Sequence, residues 1–149
     1  MTNSNASKQV QYYYHLWREM NAIYADWAKK HDLSYNALLI LYSLWDAKIY
    51  CTQSFICRQW MLPKQTVNSI LKDFEKKGFV SLGSSFYDQR KRGVRLTNAG
   101  IEYAKPIIPK LQELETSVME RMGSDRAEAM IKNTSLFIDY FKEGMNDGE

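Results

Sequence analysis

The sequence is most constrained by a change in its hydrophobic pattern at Gly78. Before this glycine, four apolar residues recur at the i, i+3, i+4, i+7 spacing of one helix face: Val67, Ile70, Leu71 and Phe74. Pro63 suits the first position of that helix, and Gly78 suits its end. Beyond it, the strand-like runs Phe79–Leu82 and Val94–Leu96 flank a long polar loop, which predicts a β-hairpin. A helix that leads directly into a hairpin indicates a mainly α fold with a small β-hairpin wing.

Helical spacing also precedes this segment. Residues 8–30 predict a long helix with several aromatic side chains, and residues 34–45 predict a second helix with Ser34 as its N-cap. Thr52 suits the cap of a short third helix that ends near Trp60. The predicted order is therefore three helices, then the helix that stops at the glycine, then the hairpin.

Two or more helices are predicted after the hairpin. Thr97 suits the cap of a helix whose apolar residues again follow helical spacing. Pro106 and Pro109 fall within it, and because proline lacks an N–H and clashes with the preceding turn, we expect a bend or a break there. A turn at residues 123–125 supplies a new N-cap for a last helix that runs to about Phe141.

The basic residues are concentrated in the middle of the chain. The net charge of the 149 residues is only +3. The segment from Arg58 to Arg95, however, contains nine Lys or Arg and only three Asp or Glu. Such a concentration is typical of a phosphate-binding surface, although a solvated basic surface gives the same pattern. No segment is long and apolar enough to span a bilayer, and residues 1–11 lack an apolar signal core. We therefore expect a cytoplasmic protein with no membrane partner.

The helix that starts at Pro63 has a polar face opposite its apolar stripe. This face contains Lys64, Gln65, Asn68, Ser69 and Lys72, and Thr66 in the same helix is counted with them as a candidate DNA-binding residue. Side-chain amides can read adenine in a major groove, hydroxyls can meet bases or phosphates, and lysines attract phosphates. The acidic residues Asp73 and Glu75 come late in the helix, so no anion lies in its early turns. We therefore predict a recognition helix that contacts double-stranded DNA.

The predicted hairpin adds cations beside this helix. Its tip carries Arg90, Lys91 and Arg92 in succession. Basic side chains on a hairpin tip can bind phosphates or enter a narrow minor groove, where the negative potential is enhanced. We expect these three residues to contribute to the same DNA contact.

At this point the run from Leu33 to Gly100 resembles the MarR family of bacterial regulators. The resemblance lies in LSYNALLILYSLW before the motif, in LPKQTV at the start of the recognition helix and in FEKKGFV before the wing. Asp88-Gln89-Arg90 matches the family's Asp-x-Arg wing motif, and residues 96–100 match its Leu-Thr-x-x-Gly helix start. The wing motif implies that Asp88 and Arg90 pair and thereby shape the wing.

The resemblance implies an architecture and a mode of action. Residues 33–97 are expected to form a winged helix-turn-helix DNA-binding domain, and residues 1–32 and 98–149 a helical dimerisation region. The terminal helices of two copies would interleave in a homodimer. Such a dimer is expected to bind a near-palindromic operator as a transcriptional repressor that a small molecule releases.

The sequence departs from the family pattern in two places. The helix at 51–60 is bulkier than usual, because it contains Cys51, Phe55, Ile56, Cys57 and Trp60 where small residues are common. The two prolines also interrupt the helix that should join the two domains. The first departure concerns the packing of the helix-turn-helix, and the second concerns the geometry of the dimer arm.

A small aromatic or phenolic effector is a further hypothesis. The residues considered for it are His15, Trp17, Arg18, Tyr42 and Trp45. The aromatic rings can stack on a flat ligand, and the histidine or arginine can meet a carboxylate or phenolate. An aromatic stripe at helical spacing is more often core or dimer packing, and that alternative stays open.

Other chemistries find little support in the sequence. Cys51 and Cys57 allow a thiol-based redox sensor, but a rise of about 9 Å along a helix disfavours a disulfide between them, and plain packing explains them as well. His15 and His31 have no partners at metal-ligand spacing, so we predict no metal and no cofactor. No nucleophile motif or phosphate loop is present, and we predict no enzyme. A winged helix that binds a protein instead of DNA remains the second functional class.

Overall fold

The structure, a computed structural model, describes residues 4–47, 51–84 and 92–148, and of Ser84 and Arg92 it describes the backbone only. The chain divides into two compact units, Met1–Ile108 and Pro109–Glu149. Within the described residues the elements follow in this order: α1 (Asn5–Lys30), α2 (Tyr35–Ala47), β1 (Cys51–Thr52), α3 (Gln53–Trp60), α4 (Lys64–Lys76), β2 (Val80–Ser84), β3 (Arg92–Leu96), α5 (Asn98–Ala104), α6 (Ile108–Met122) and α7 (Ser124–Asn146). The predicted class, mainly α with a small β wing, is confirmed.

Three helix starts, at Ser34, Thr52 and Thr97, have the hydroxyl caps that the sequence predicts. The Ser34 Oγ accepts from the backbone N–H of Ala37 at 3.1 Å, and the Thr52 Oγ1 accepts from that of Phe55 at 3.1 Å. Each hydroxyl satisfies a donor that has no partner within its helix. Several boundaries differ from the prediction. Pro63 is the N-cap of α4 and not its first helical residue, and α7 follows Gly123 without a side-chain cap. Helix α1 begins at Asn5 and not at residue 8, and α7 ends at Asn146 and not near Phe141.

The core of the first unit is built around α2. Its apolar residues Leu38, Ile40, Leu41 and Leu44 are at most 3% exposed. Two polar residues are also buried in the described part of the chain, Ser43 on α2 and Gln53 at the start of α3. Among the bulky residues of the 51–60 helix, Ile56 is fully buried and Cys51 is buried, Cys57 and Trp60 are half-buried, and Phe55 is 45% exposed.

The strands form a three-stranded antiparallel sheet in the order β1-β3-β2. The expected hairpin is present, with Val80 opposite Leu96 and Leu82 opposite Val94. The sequence did not predict β1, which pairs Cys51 with Val94 on the other edge of β3. This third strand connects the segment before α3 to the wing, so the sheet links the two ends of the helix-turn-helix.

A compact junction joins the end of α4 to the start of α5. The Thr97 hydroxyl donates to the Gly78 carbonyl at 2.6 Å and accepts from the Gly100 N–H at 3.0 Å. The Thr97 backbone N–H donates to the Phe79 carbonyl oxygen at 3.0 Å. That oxygen lies where a β-carbon on residue 100 would be, so only glycine fits there. The Leu-Thr-x-x-Gly segment is therefore a structural clamp as well as a helix start.

The predicted interruption at the prolines is present. Helix α5 ends at Ala104, Pro106 lies in the gap, and Pro109 falls in the first turn of α6, where a missing N–H costs nothing. The gap remains well packed, because Ile107 is 2% exposed and its carbonyl accepts from the Trp27 indole N–H at 3.2 Å. The carbonyl of Ile107, in the gap between α5 and α6, thus obtains a hydrogen-bond partner from α1.

The second unit consists of most of α6 together with α7. Gly123 separates the two helices at a φ of +87°, a conformation that favours glycine. None of the residues of α7 is buried, although the helix carries several apolar side chains. A helix of 23 residues with an apolar face but no buried side chain requires a covering surface.

Replacing Gly100 by Ala should destabilise the protein strongly. The added β-carbon would overlap the Phe79 carbonyl oxygen, and relieving that overlap requires a shift of backbone. We expect the free energy of unfolding to fall by more than about 2 kcal/mol, measured by denaturant unfolding at fixed protein concentration.

Gly144→Ala is the matched control for this substitution. Gly144 lies in α7, and its β-carbon would meet nothing within 4 Å. Alanine there should raise stability by about 0.5–1 kcal/mol through helix propensity. Equal effects of the two substitutions would contradict the clamp described above.

Candidate nucleic-acid interface

Helix α4 has the two faces that its sequence predicts. Its inner face packs into the core, with Val67, Leu71 and Phe74 at most 1% exposed and Ile70 half-buried. The three buried residues span about two turns, so they anchor the middle of this 13-residue helix. The orientation of its outer face is therefore fixed by the core.

The outer face of α4 is polar and accessible. Lys64, Gln65, Ser69 and Lys72 are exposed, and Thr66 and Asn68 are half-buried. All six residues predicted for this surface thus lie outside the apolar core, and the structure brings them together on one helix. The N-cap of α4 is Pro63, which provides no side-chain hydrogen bond, so the first N–H groups of the helix are not capped by it. A helix start of this kind carries a partial positive charge.

The negative charge of Asp73 is paired with a lysine at the C-terminal end of α4. Its carboxylate lies 3.0 Å from the Lys77 ammonium. The hydrogen bond to Asp73 raises the pKa of Lys77 above its usual value, so this lysine stays charged at any physiological pH. The pair sits at the end of the helix opposite to Gln65, and the early turns carry only cationic and neutral side chains.

The turn that precedes α4 is tight and exposed. Met61 adopts a left-handed conformation with φ +53°, and 89% of its surface is accessible. The Leu62 N–H donates to the Cys57 carbonyl at 3.0 Å, which closes the C-terminal end of α3. The turn leads directly to Lys64, so the end of α3 determines where α4 begins.

Most of the predicted wing contacts lie outside the described residues. These are Asp88, Arg90 and Lys91, together with the pair proposed between the first two. The backbone of Arg92 begins β3 opposite Ser84. The structure also exposes Arg95 on β3, between buried Val94 and half-buried Leu96. Side chains alternate between the two faces of a strand, so the apolar residues on either side of Arg95 are the sequence signal that this arginine faces outward.

The five residues considered for an effector are not gathered in one place. Trp45 lines a cavity of about 230 Å³ together with Leu44, Leu96 and Ile101. Tyr42 instead packs edge-on against Trp60, with ring centroids 6.1 Å apart.

The remaining effector residues lie on α1. His15, Trp17 and Arg18 are exposed, and the His15 imidazole lies 3.4 Å from the Glu19 carboxylate. The cavity therefore has an aromatic and apolar lining of its own, formed by α2, the end of β3 and α5.

The two cysteines differ in their environment. Burial raises the pKa of the Cys51 thiol to about 11, so it is protonated and weakly nucleophilic at neutral pH. Cys57 is half-buried on α3. In the residues that the structure describes, no group of three or more His, Cys, Asp or Glu side chains is arranged to hold a metal ion. Over that same part of the chain, no helix is long and apolar enough to cross a bilayer.

The chain is similar in sequence and in fold to known transcriptional regulators. The sequence model of the MarR family matches residues 31–91. The HTH-type transcriptional regulator SarZ of Staphylococcus haemolyticus is 29% identical over 103 residues, which are 69% of this chain and 67% of that protein.

Solved structures agree over nearly the full length. NMB1585, a MarR family regulator from Neisseria meningitidis, is 26% identical, with a TM-score of 0.77 over 98% of this chain and 100% of its own. The MepR–DNA complex from S. aureus is 18% identical, with a TM-score of 0.74 over 93% and 99%, and that likeness concerns the fold.

Proposed function

We propose that the chain is a transcriptional regulator of the MarR family, whose sequence model matches residues 31–91, and that it binds double-stranded DNA as a homodimer and represses transcription until a small aromatic ligand releases it. The observation that carries this proposal is the outer face of α4, which is polar, cationic at both ends and anchored by a buried apolar stripe. MepR of S. aureus, whose fold this chain resembles, is bound to DNA in its solved complex. We assign the activity to the cytoplasm.

The residues of α4 divide into those that read bases and those that bind phosphate. Gln65 and Asn68 lie in the first turns, where a recognition helix meets base edges. The amide of either side chain can form two hydrogen bonds with one adenine. Lys64, Thr66, Ser69 and Lys72 flank them with charges and hydroxyls suited to phosphate. Arg90, Lys91 and Arg92 extend this contact onto the wing, with Asp88 pairing Arg90 to shape it.

The proposed homodimer is supported by exposed apolar surface at both ends of the chain. On α1, Leu16, Trp17, Met20 and Ile23 are each more than half exposed. Four apolar or aromatic residues of α7 are also more than half exposed: Ile131, Tyr140, Phe141 and Met145. Apolar patches of this extent on a monomer are unusual and mark contact surfaces.

The charge of the second unit also fits this role. From Leu111 to the C-terminus the chain contains nine acidic and four basic residues. This negative net charge disfavours contact with the phosphates of DNA. We therefore assign residues 33–97 to DNA binding and residues 1–32 and 98–149 to dimerisation. A two-fold dimer would present its α4 helices to two half-sites about 34–36 Å apart on a near-palindromic operator.

The cavity beside Trp45 supports ligand control. An apolar cavity of about 150 Å³ can hold benzene, so a cavity of about 230 Å³ has room for one substituted ring. Its lining joins α2 to the end of β3 and to α5, the elements that flank the helix-turn-helix. A ligand weakens DNA binding only by the difference between its affinities for the two states of the protein.

The base-reading assignment predicts opposite effects for two kinds of substitution. Gln65→Ala or Asn68→Ala should cost about 1–3 kcal/mol at the operator and leave binding to a scrambled duplex nearly unchanged. Lys72→Ala should weaken both duplexes alike and reduce the slope of log K against log salt by about one unit.

The measurement is titration of an operator selected from random DNA and of its scrambled version at several salt concentrations. Equal losses on both duplexes for the two amide variants would mean that α4 does not read bases. A wild-type chain that binds no duplex at all would favour the protein-binding alternative.

The dimer assignment predicts a mass of twice the 17.5 kDa chain in light scattering at micromolar concentration. Ile138→Glu places a charge on the exposed apolar face of α7 and should shift the equilibrium toward monomer. Asn133→Glu is the matched control, because it adds the same charge to an exposed polar position of the same helix. A monomeric wild type, or equal effects of the two variants, would remove this assignment.

Ligand control predicts that phenolic acids lower operator affinity in a saturable way. Ile101→Trp should fill the cavity and abolish that response while operator binding in the absence of ligand is retained. Binding curves for wild type and variant, with and without millimolar salicylate and 4-hydroxybenzoate, make the comparison. An effect that persists in the filled variant would place the ligand elsewhere.

A further inference from the structure

The two buried polar side chains of the described core both contact the helix-turn-helix. Ser43 is 2% exposed and Gln53 is 9% exposed. Ser43 binds the last two residues of α3, and Gln53 binds the first residue of α4. Burying a polar group costs free energy unless it is hydrogen-bonded, so groups that remain in a core are informative about what it must hold in place.

The Ser43 hydroxyl both donates and accepts a hydrogen bond, and both partners lie on α3. It accepts from the Trp60 indole N–H at 2.6 Å and donates to the Gln59 side-chain oxygen at 2.5 Å. One hydroxyl on α2 therefore fixes two successive residues at the C-terminal end of α3, and the edge-on contact of Tyr42 with Trp60 lies next to it.

Apolar packing alone does not hold α3 in one orientation. The helix has only eight residues, and Ile56 near its centre is its one fully buried apolar side chain. Because hydrophobic contact is not directional, a short helix with a single central anchor is able to tilt or rotate about it. The hydrogen bonds from Ser43 are directional, and they act at the end of the helix, where a tilt moves atoms furthest.

The end of α3 is coupled to the start of α4 by very little chain. Only Met61, Leu62 and Pro63 separate Trp60 from Lys64, and Met61 is held in the left-handed region. Gln53 adds a long contact of 3.4 Å from its side-chain nitrogen to the Lys64 carbonyl. A shift at Trp60 is therefore transmitted to the first turns of α4, where Gln65 and Asn68 lie.

We propose that Ser43 is a positioning residue for DNA recognition, which holds the end of α3 through Trp60 and Gln59 and thereby sets where the first turns of α4 meet the bases. This inference rests on the proposed DNA binding. Hydrogen bonds to base edges tolerate little displacement, whereas phosphate contacts from flexible lysines adapt. Loss of the Ser43 bonds therefore lowers operator affinity more than affinity for other DNA.

The first test concerns the bond itself and needs no DNA. The exchange of the indole N–H protons with solvent is followed by NMR in the full-length protein. Among the four tryptophans, Ser43→Ala should accelerate the exchange of the Trp60 proton alone. An exchange rate of the Trp60 proton that is the same in Ser43→Ala as in the wild-type protein would overturn the proposal.

The second test separates positioning from stability. Ser43→Ala leaves the Trp60 N–H without an acceptor, whereas Ser43→Ala combined with Trp60→Phe removes both partners. The double variant should recover thermal stability relative to Ser43→Ala, because no buried donor remains unpaired. Its ratio of operator to scrambled-DNA affinity should stay about tenfold below that of the wild type, the effect of one misaligned base contact.

A stability control completes the design. Ile108→Val removes one methylene from a fully buried residue outside the helix-turn-helix, and it should lower thermal stability without changing the affinity ratio. If Ser43→Ala does not fold, Trp60→Phe alone carries the test, since it removes one of the two bonds and keeps an aromatic ring.

The outcomes distinguish the two proposals. An unchanged affinity ratio in Trp60→Phe and in the double variant would overturn the role of Ser43 and leave the proposed function intact. A wild-type protein without operator preference would overturn the proposed function, and that result appears before any variant is made.

Discussion

The Phe79 carbonyl oxygen occupies the space in which any residue other than glycine at position 100 would place its side chain. This close approach brings α5 against the turn that ends α4, and the Thr97 hydroxyl donates to the Gly78 carbonyl in that turn and accepts from the Gly100 N–H of α5. Three elements are fixed at one point: α4 at its end, β2 at its start and α5 at its first turn. The orientation of the wing relative to α4 depends on this junction, since β2 begins one residue after the contact.

The opposite end of α4 is held by a different kind of interaction. There the chain relies on a short helix, α3, whose single buried apolar anchor is supplemented by hydrogen bonds from α2. A steric constraint at one end and directional polar bonds at the other leave α4 little freedom. This arrangement suits a helix whose proposed task is to match the edges of bases, because such a match is lost with small displacements.

The outer parts of the chain obey another constraint. Helices α1 and α7 expose large apolar side chains, and α7 buries none of its own. Together with the acidic character of the C-terminal segment, this divides the chain chemically into a cationic centre, apolar surface at both ends and an acidic C-terminal segment. The proposed dimer satisfies both, because it would cover the apolar faces and keep the acidic helices away from DNA.

The sequence by itself determined the elements that local chemistry specifies. Serine and threonine caps, the stop at Gly78, the apolar stripe of α4 and the break at Pro106 were all predicted, because each depends on residues within a turn or two of one another. The family resemblance added the Leu-Thr-x-x-Gly start of α5 and the winged arrangement. Tertiary structure alone decided what depends on distant partners. Strand β1 is two residues long, too short for any periodicity, and it exists only because Val94 pairs with Cys51. The same holds for the bond of Ser43 to Trp60, the contact of Trp27 with Ile107 and the cavity beside Trp45. A hydrogen bond across 17 or 80 residues leaves no spacing pattern in the sequence, since its partners meet only when the core brings their helices together.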